Sequence, residues 1–251
     1  MIALLPVALL VGALIGAVGV GGVLLIPAIH ALTGLSLQES MATALFSFIF
    51  TGLAGTALFQ RRGSIDWAVT VPLCIGGALA AFPGALAGAR LNGQQLGALL
   101  AALIVGAGVY TLRAGTAGRL QPFADRPGAR RLALLGIGAA TGFGSGLTGV
   151  GGPALSVPMM MLAGFPPLAT IGASQVVQIL ASVSGSGGNL LNGSIDFRLG
   201  ALLSVVEVAG VWIGVKVAHA VDQRTLRRGV GALCIAVGLG MLGRTLWPLM
   251  R

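Results

Sequence analysis

Read for its apolar and polar positions, the chain alternates long apolar runs with short breaks that carry arginine, glycine and proline. Uninterrupted apolar runs cover residues 41–59, 67–89, 96–112, 199–221 and 230–246. Apolar runs of about 18 residues or more predict membrane-spanning helices. A transmembrane barrel would instead show segments of roughly ten residues that alternate in polarity. A further apolar stretch, residues 2–33, is broken by glycine. As one helix of about 32 residues it would reach ~48 Å, well beyond the ~30 Å hydrocarbon core. It must tilt, break or turn back. The pattern predicts an all-α polytopic membrane protein.

Shifted by 130 residues, the sequence matches itself. Gly12, Gly16, Gly19, Gly21 and Gly22 fall on Gly142, Gly146, Gly149, Gly151 and Gly152, and Gly34, Gly55 and Gly84 fall on Gly164, Gly185 and Gly214. "GSID" at 63–66 falls on "GSID" at 193–196. These matches predict two tandem transmembrane repeats, 1–113 and 131–251, each a glycine-broken segment followed by three spans. The polar stretch between them, 114–130, is the expected linker. The segment 1–19 lacks the positively charged leader of a signal peptide and has a counterpart at 131–149, so it reads as a retained membrane segment. If the broken segment crosses, each half has four spans and the repeats run parallel. If it enters and returns, each half has three full spans and the repeats are inverted, an arrangement that transporters often use around discontinuous helices. The loop arginines divide the same way in both.

Composition narrows the function classes. Hydrophobic residues make up 56% of the chain and charged residues 8%, with a mean hydropathy of +0.97. Soluble domains carry about 25% charged residues, so this chain cannot cover a water-facing surface. The net charge of +9 lies mostly in arginines between apolar runs, which is how membrane topology is set. It is not a nucleic-acid footprint, and it predicts a multi-pass protein of a bacterial-type inner membrane with the linker cytoplasmic. Cys74 and Cys234 both fall inside predicted spans, and His30 and His219 are the only histidines. Neither a disulfide framework nor a metal site is expected, and no cofactor is.

The candidate chemistry centres on "GVGGVLLIP" at 19–27 and "GVGGPALSVP" at 149–158. A helix break in hydrocarbon is tolerated only where protein buries it or water lines it. The helix that restarts after the break presents free N–H groups and a positive dipole end, which together suit an anion. Pro153 suits a first helical position, where no N–H is needed. Gly19, Gly21, Gly22, Gly149, Gly151, Gly152 and Pro153 are therefore candidate substrate-binding residues. Close helix packing is the other use of such glycines, and it is the favoured reading for the Gly12, Gly16 pair. With "GVGGVLLIPAI" and "GVGGPALSVPMM" each present once per half, the chain resembles the TauE/SafE sulfite exporter family along nearly its whole length. The first copy departs by one residue between Gly22 and Pro27. The resemblance implies transport of small sulfur-containing anions such as sulfite, sulfoacetate or related organosulfonates.

Other polar residues interrupt the apolar runs. Gln175 and Gln178 share a helix face with Ser174 nearby, and Thr43, Ser47 and Thr51 form a stripe four residues apart. Ser174, Gln175, Gln178, Thr43 and Ser47 join the candidate anion ligands, with interhelical hydrogen bonding as their alternative role. Glu207 is the one acid deep inside a span, and intramembrane acids are functional candidates. It is the candidate for proton coupling, with a bond to a neighbouring hydroxyl or to Lys216 as the alternative. Ser64 and Ser194 suit N-caps, with Asp66 and Asp196 in the first turn. His30 reads as packing or cavity lining.

The expected function is a secondary transporter of a small anion, with lipid around it and protons as a candidate coupling ion. A passive anion channel shares every one of these features. An enzyme is disfavoured because no histidine pairs with the serines and zinc ligands are lacking. A scaffold would not need repeated breaks. A homo-oligomer is compatible with the sequence.

Overall fold

The structure, a computed structural model, describes residues 3–19, 21–113, 126–191, 195–220, 232 and 234–243. Most of the linker, Ser194 and the start of the last predicted span lie outside them. The described chain is helical: α1 (Leu4–Val18), a 3-10 turn (Gly21–Leu24), α2 (Leu25–Thr33), α3 (Leu37–Arg61), α4 (Trp67–Gly88) and α5 (Gly93–Arg113). These are followed by α6 (Pro127–Thr148), α7 (Gly152–Leu162), α8 (Pro167–Leu190), α9 (Phe197–Ala220) and α10 (Cys234–Gly243). Among them α3, α4, α5 and α9 are long and apolar enough to cross a membrane.

Polarity is arranged for lipid. Leu79 and Val205, both in mid-helix, are 73% and 72% exposed, whereas Thr43, Ser47, Thr51, Ser174, Gln175 and Glu207 are wholly buried. Water would reverse this distribution; hydrocarbon favours it, because polar groups then find partners only inside the protein. The free cysteines Cys74 and Cys234 are buried.

The ends of the helices follow from local chemistry. Gly19 ends α1 at φ 79° and Gly149 ends α6 at φ 67°, a left-handed conformation that side chains rarely adopt. Ser36 and Glu39 form a reciprocal capping box that starts α3. Asp66, not Ser64, is the N-cap of α4, its Oδ1 accepting from the Ala68 N–H at 3.0 Å. Asp196 does the same for α9 through the Leu199 N–H at 3.0 Å. A carboxylate placed one residue before the helix reaches the free amides of the first turn, and a serine two residues further back does not.

Helix directions follow from register. Along α1 and α9, Gly12 meets Glu207 and Gly16 meets Val211, so the two run parallel. Along α4 and α6, Gly77 meets Gly142 and Ala81 meets Gly146, again parallel. The central pair α3 and α8 is antiparallel, with Leu45 beside Gly185, Phe48 bonded to Gln178 and Gly55 beside Gln175. Helix α9 runs with α3, from Asp196 at Thr43 to Val215 at Arg62. Helix α8 runs with α4, from Val177 at Gly77 to Gly188 at Ala85. Thus α1, α3 and α9 point one way and α4, α6 and α8 the other. Since α1 and α3 point the same way, the chain between them must double back, and α2 carries it from the middle of α3 to that helix's start. The expected break in residues 2–33 falls at Gly19–Leu24, between α1 and α2.

Close approach makes the α4–α6 contact intolerant of side chains. A Cβ at Gly142 would strike the Gly77 carbonyl, whereas one at Gly136 on the same helix meets open space. Gly142→Leu should therefore lower the yield of folded protein several-fold, in line with overpacking costs of about 1–3 kcal/mol or more. Gly136→Leu should leave it unchanged. Fluorescence-detected size-exclusion chromatography in detergent reads both.

Candidate functional site

Both glycine breaks lie beside the midpoints of the central helices. A Cβ on Gly22 would come to 3.0 Å from the Phe48 ring and 3.0 Å from the Val150 carbonyl, and one on Gly151 would come to 3.0 Å from the same ring. Gly152 sits against the Gln178 backbone, 3.1 Å from the same construction. Gly19 faces Val157 and Pro153 at 3.3 and 3.7 Å. Phe48 is near the middle of α3 and Gln178 near the middle of α8, so the two breaks converge on one place at the α3–α8 crossing. The Phe48 ring, wholly buried, fills the gap between them.

The second break ends in a helix N-terminus. Gly151, at φ 85° and ψ 156°, is the N-cap of α7, and no side chain caps that helix. Gly152 takes the first helical position and Pro153 the second, one place later than expected; proline fits there because its missing N–H would have been unpaired in any case. The amides of the first turn and the dipole end of α7 are thus presented at the α3–α8 crossing. The first break differs. Its chain passes through the 3-10 turn Gly21–Leu24 before α2 starts, a winding that rises further per residue and so suits a copy with one residue fewer before its proline.

Side-chain amides of α8 hold these breaks. Gln178 Nε2 donates to Phe48 O at 2.9 Å and to Thr51 Oγ1 at 2.6 Å. Gln175 Nε2 reaches Ile15 O, in the last turn of α1, at 3.5 Å. Its Oε1 has no partner among the described residues. Ser174 Oγ donates to Thr170 O at 2.7 Å and lies 2.8 Å from Ser156 Oγ, which is itself 2.9 Å from Gly152 O. Gly22, Gly151 and Gly152 thus meet Phe48 or Gln178, and Gly19 meets Pro153, whereas Gly149 lies against Met41, nearer the start of α3, and Gly21 packs back on α1. Thr43 is elsewhere: its Oγ1 accepts from the Asp196 N–H at 3.1 Å, near the start of α9. Ser47 donates to Ala44 O at 2.8 Å and adjoins the Glu207 carboxyl. Lys216 does not pair with Glu207, since its Nζ sits 3.3 Å from the Trp212 ring centroid.

Sequence reasoning misses Ser156 and Thr141, and meets Ser145 and Ser186 only as serines of the glycine-rich stretches 142–146 and 184–189 that no histidine serves. All are buried, and the hydroxyls of Thr141, Ser145, Ser182 and Ser186 have no partner among the described residues. Their signal was the four-residue spacing of Thr141 with Ser145, and of Gln178 with Ser182 and Ser186. A cavity of about 1110 Å³ opens between α2, α5 and α10, lined by Pro27, His30, Ser36, Gln94 and Val237 among others. His30 is therefore a cavity residue, its Nδ1 2.8 Å from Leu35 O.

Comparison with known proteins adds the family. The description "Sulfite exporter TauE/SafE" belongs to a family model that matches residues 4–241. The chain belongs to that family. It is 27% identical over 236 residues to the probable membrane transporter protein YunE of Bacillus subtilis, covering 85% of this chain and 84% of the relative. It is 24% identical to the probable membrane transporter protein ORF9 of Sinorhizobium sp, covering 92% and 88%. A third relative, the probable membrane transporter protein MJ0441 of Methanocaldococcus jannaschii, is 21% identical across 95% and 96%. No solved structure matches. As a TauE/SafE family member the chain is an integral multi-pass protein of a membrane-transporter family.

The Gln178 amide carries the testable consequence. Gln178→Leu removes both of its bonds and leaves Thr51 buried beside an alkyl chain. Interhelical hydrogen bonds in membranes are worth ~0.6 kcal/mol on average and at most ~1.7, so two should lower the melting temperature in detergent by a few degrees. Leu180→Ala, on the exposed face of the same helix, should not.

Proposed function

We propose that this TauE/SafE protein is a secondary carrier of a small sulfur-containing anion, sulfite or an organosulfonate such as sulfoacetate. The anion binds where the two glycine breaks converge. The observation that carries this reading is the meeting of Gly22, Val150 and Gly151 around Phe48 at the α3–α8 crossing. An uncapped helix N-terminus supplies amides and dipole there, and Gln175, Gln178 and Ser174 supply neutral polar groups without the desolvation cost of a buried cation. A Phe48 ring filling the space favours a carrier over a permanently open channel.

The carrier is a duplicated chain with inverted repeats. Contacts that exchange under the 130-residue shift support this: Gly12 with Glu207 and Gly142 with Gly77, Gly16 with Val211 and Gly146 with Ala81, Gly55 with Gln175 and Gly185 with Leu45. Such reciprocity is what a two-fold axis between halves produces. The opposite directions of α3 and α8 set that axis in the membrane plane, the geometry in which one half rocks against the other. Residues 1–113 and 131–251 are the two halves. Arg61, Arg62, Arg113, Arg126, Arg130 and Arg131 share one end of the bundle while Arg90 and Arg198 lie at the other, which supports a cytoplasmic linker in the cell membrane.

Flux of sulfite and of sulfoacetate into proteoliposomes tests the reading. Wild type should show saturable uptake and counterflow of one of them, Gly152→Leu should fall to the protein-free background, and Gly136→Leu should match wild type. Unsaturable flux without counterflow would make the protein a channel. No flux of either anion would remove the proposed substrate.

A further inference from the structure

We propose that Glu207 is the proton-binding group that couples transport to a pH gradient and that it acts through the first glycine break alone; this rests on the carrier reading above. Glu207 is wholly buried in the middle of α9, and apart from the neighbouring Ser47 hydroxyl its carboxyl oxygens meet no polar partner among the described residues. Among the described residues, the elements packed most closely on α9 are α1 and α3. Helix α1 carries no acidic or basic residue in its sequence LLPVALLVGALIGAV. Helix α3 contributes the Ser47 hydroxyl beside the carboxyl, while its charged residues sit at its ends, Glu39 held in the capping box with Ser36 and Arg61 in the last turn. On α9 itself Arg198 and Lys216 are each more than two turns away, and Lys216 is stacked on Trp212. A carboxylate there would be an uncompensated charge, which proteins avoid by binding a proton. One hydroxyl is too few oxygens for a hard metal cation.

The position of the acid gives the proton its mechanical effect. The Glu207 carbonyl is the seat of Gly12 on α1, and α1 is the arm whose far end carries the first break. In the other half the corresponding place is held by Gly77, which faces the Val177 side chain at 3.1 Å and seats Gly142. The two arms therefore rest on matching backbones, but only one rests beside an ionisable group. Protonated, Glu207 is neutral and the α1–α3–α9 contact closes over it. Losing its proton to water leaves a carboxylate that needs hydration, so the contact must part and α1 must move, carrying the first break with it. One proton is bound and released per movement of that arm.

Two measurements test this. In proteoliposomes, Glu207→Gln, which stays neutral at every pH, should lose pH-driven accumulation by about tenfold or more, and whatever flux it keeps should no longer change with pH. Accumulation by Glu207→Gln equal to wild type would overturn the proposal. The second measurement is independent of transport and of the substrate's identity. An apolar carbodiimide, which attacks protonated buried carboxyls, is applied to the wild-type protein in lipid across acid to alkaline pH, and modification of Glu207 is read by peptide mass spectrometry. Modification should be strong at acid pH and fall as pH rises. Modification that is absent, or unchanged with pH, would mark a permanently neutral structural acid and overturn the proposal even if every anion tried is the wrong one. Wild type moving neither sulfite nor sulfoacetate, with labelling still pH-dependent, would fault the substrate and leave Glu207 standing.

Discussion

A helix interrupted inside a bilayer leaves amides and carbonyls that lipid cannot satisfy, so an interrupted helix has to be enclosed by protein. Here the enclosure is the antiparallel pair α3 and α8. Helix α8 donates side-chain amides to Phe48 O and Ile15 O, tying the centre of the bundle to the last turn before the first break. The second break lies against the Gln178 backbone. The remaining helices are arranged around the need to bury these two interruptions, and α4 and α9 close the sides by packing on α6 and α1.

That enclosure depends on backbone approaching backbone. Along the α1–α9 and α4–α6 contacts the glycines admit a neighbouring carbonyl where any Cβ would strike it. In water such seams would be a weakness, since they bury little apolar side chain. In lipid, where apolar side chains gain nothing by leaving the hydrocarbon, close packing is a main source of helix association. The same seams are suited to movement, because helices that meet through glycine have no interlocking side chains to disengage.

The polar interior has two parts with different chemistry. At the breaks there are amides, hydroxyls and a helix N-terminus, all neutral. On α9, which packs directly on α1 and α3, a buried acid lies among small and apolar neighbours. Ser47 and Thr51 lie one turn apart on α3, the first beside Glu207 and the second bonded to Gln178, so one helix face touches both. In the proposed carrier, an anion and a proton are thereby held by one bundle without an acid facing the anion directly, which would repel it.

The helices themselves were legible in the sequence, because hydrocarbon imposes a length and an apolarity that few other environments do: α3, α4 and α9 begin and end within a few residues of the apolar runs. The helix end at each glycine motif and the packing use of Gly12 and Gly16 were legible too, since only glycine fits a left-handed cap or a carbonyl seat. The function of single polar residues was not. Thr43 and Ser47 lie on one stripe, yet one bonds the start of α9 and the other adjoins a buried acid, because helical periodicity gives a face and not the neighbour that meets it. Loop charge left parallel and inverted repeats tied. Helix direction comes from which residues meet across a contact: Leu45 with Gly185 and Gly55 with Gln175 make α3 and α8 antiparallel. That pairing is a property of two segments brought together, and no one-dimensional pattern contains it.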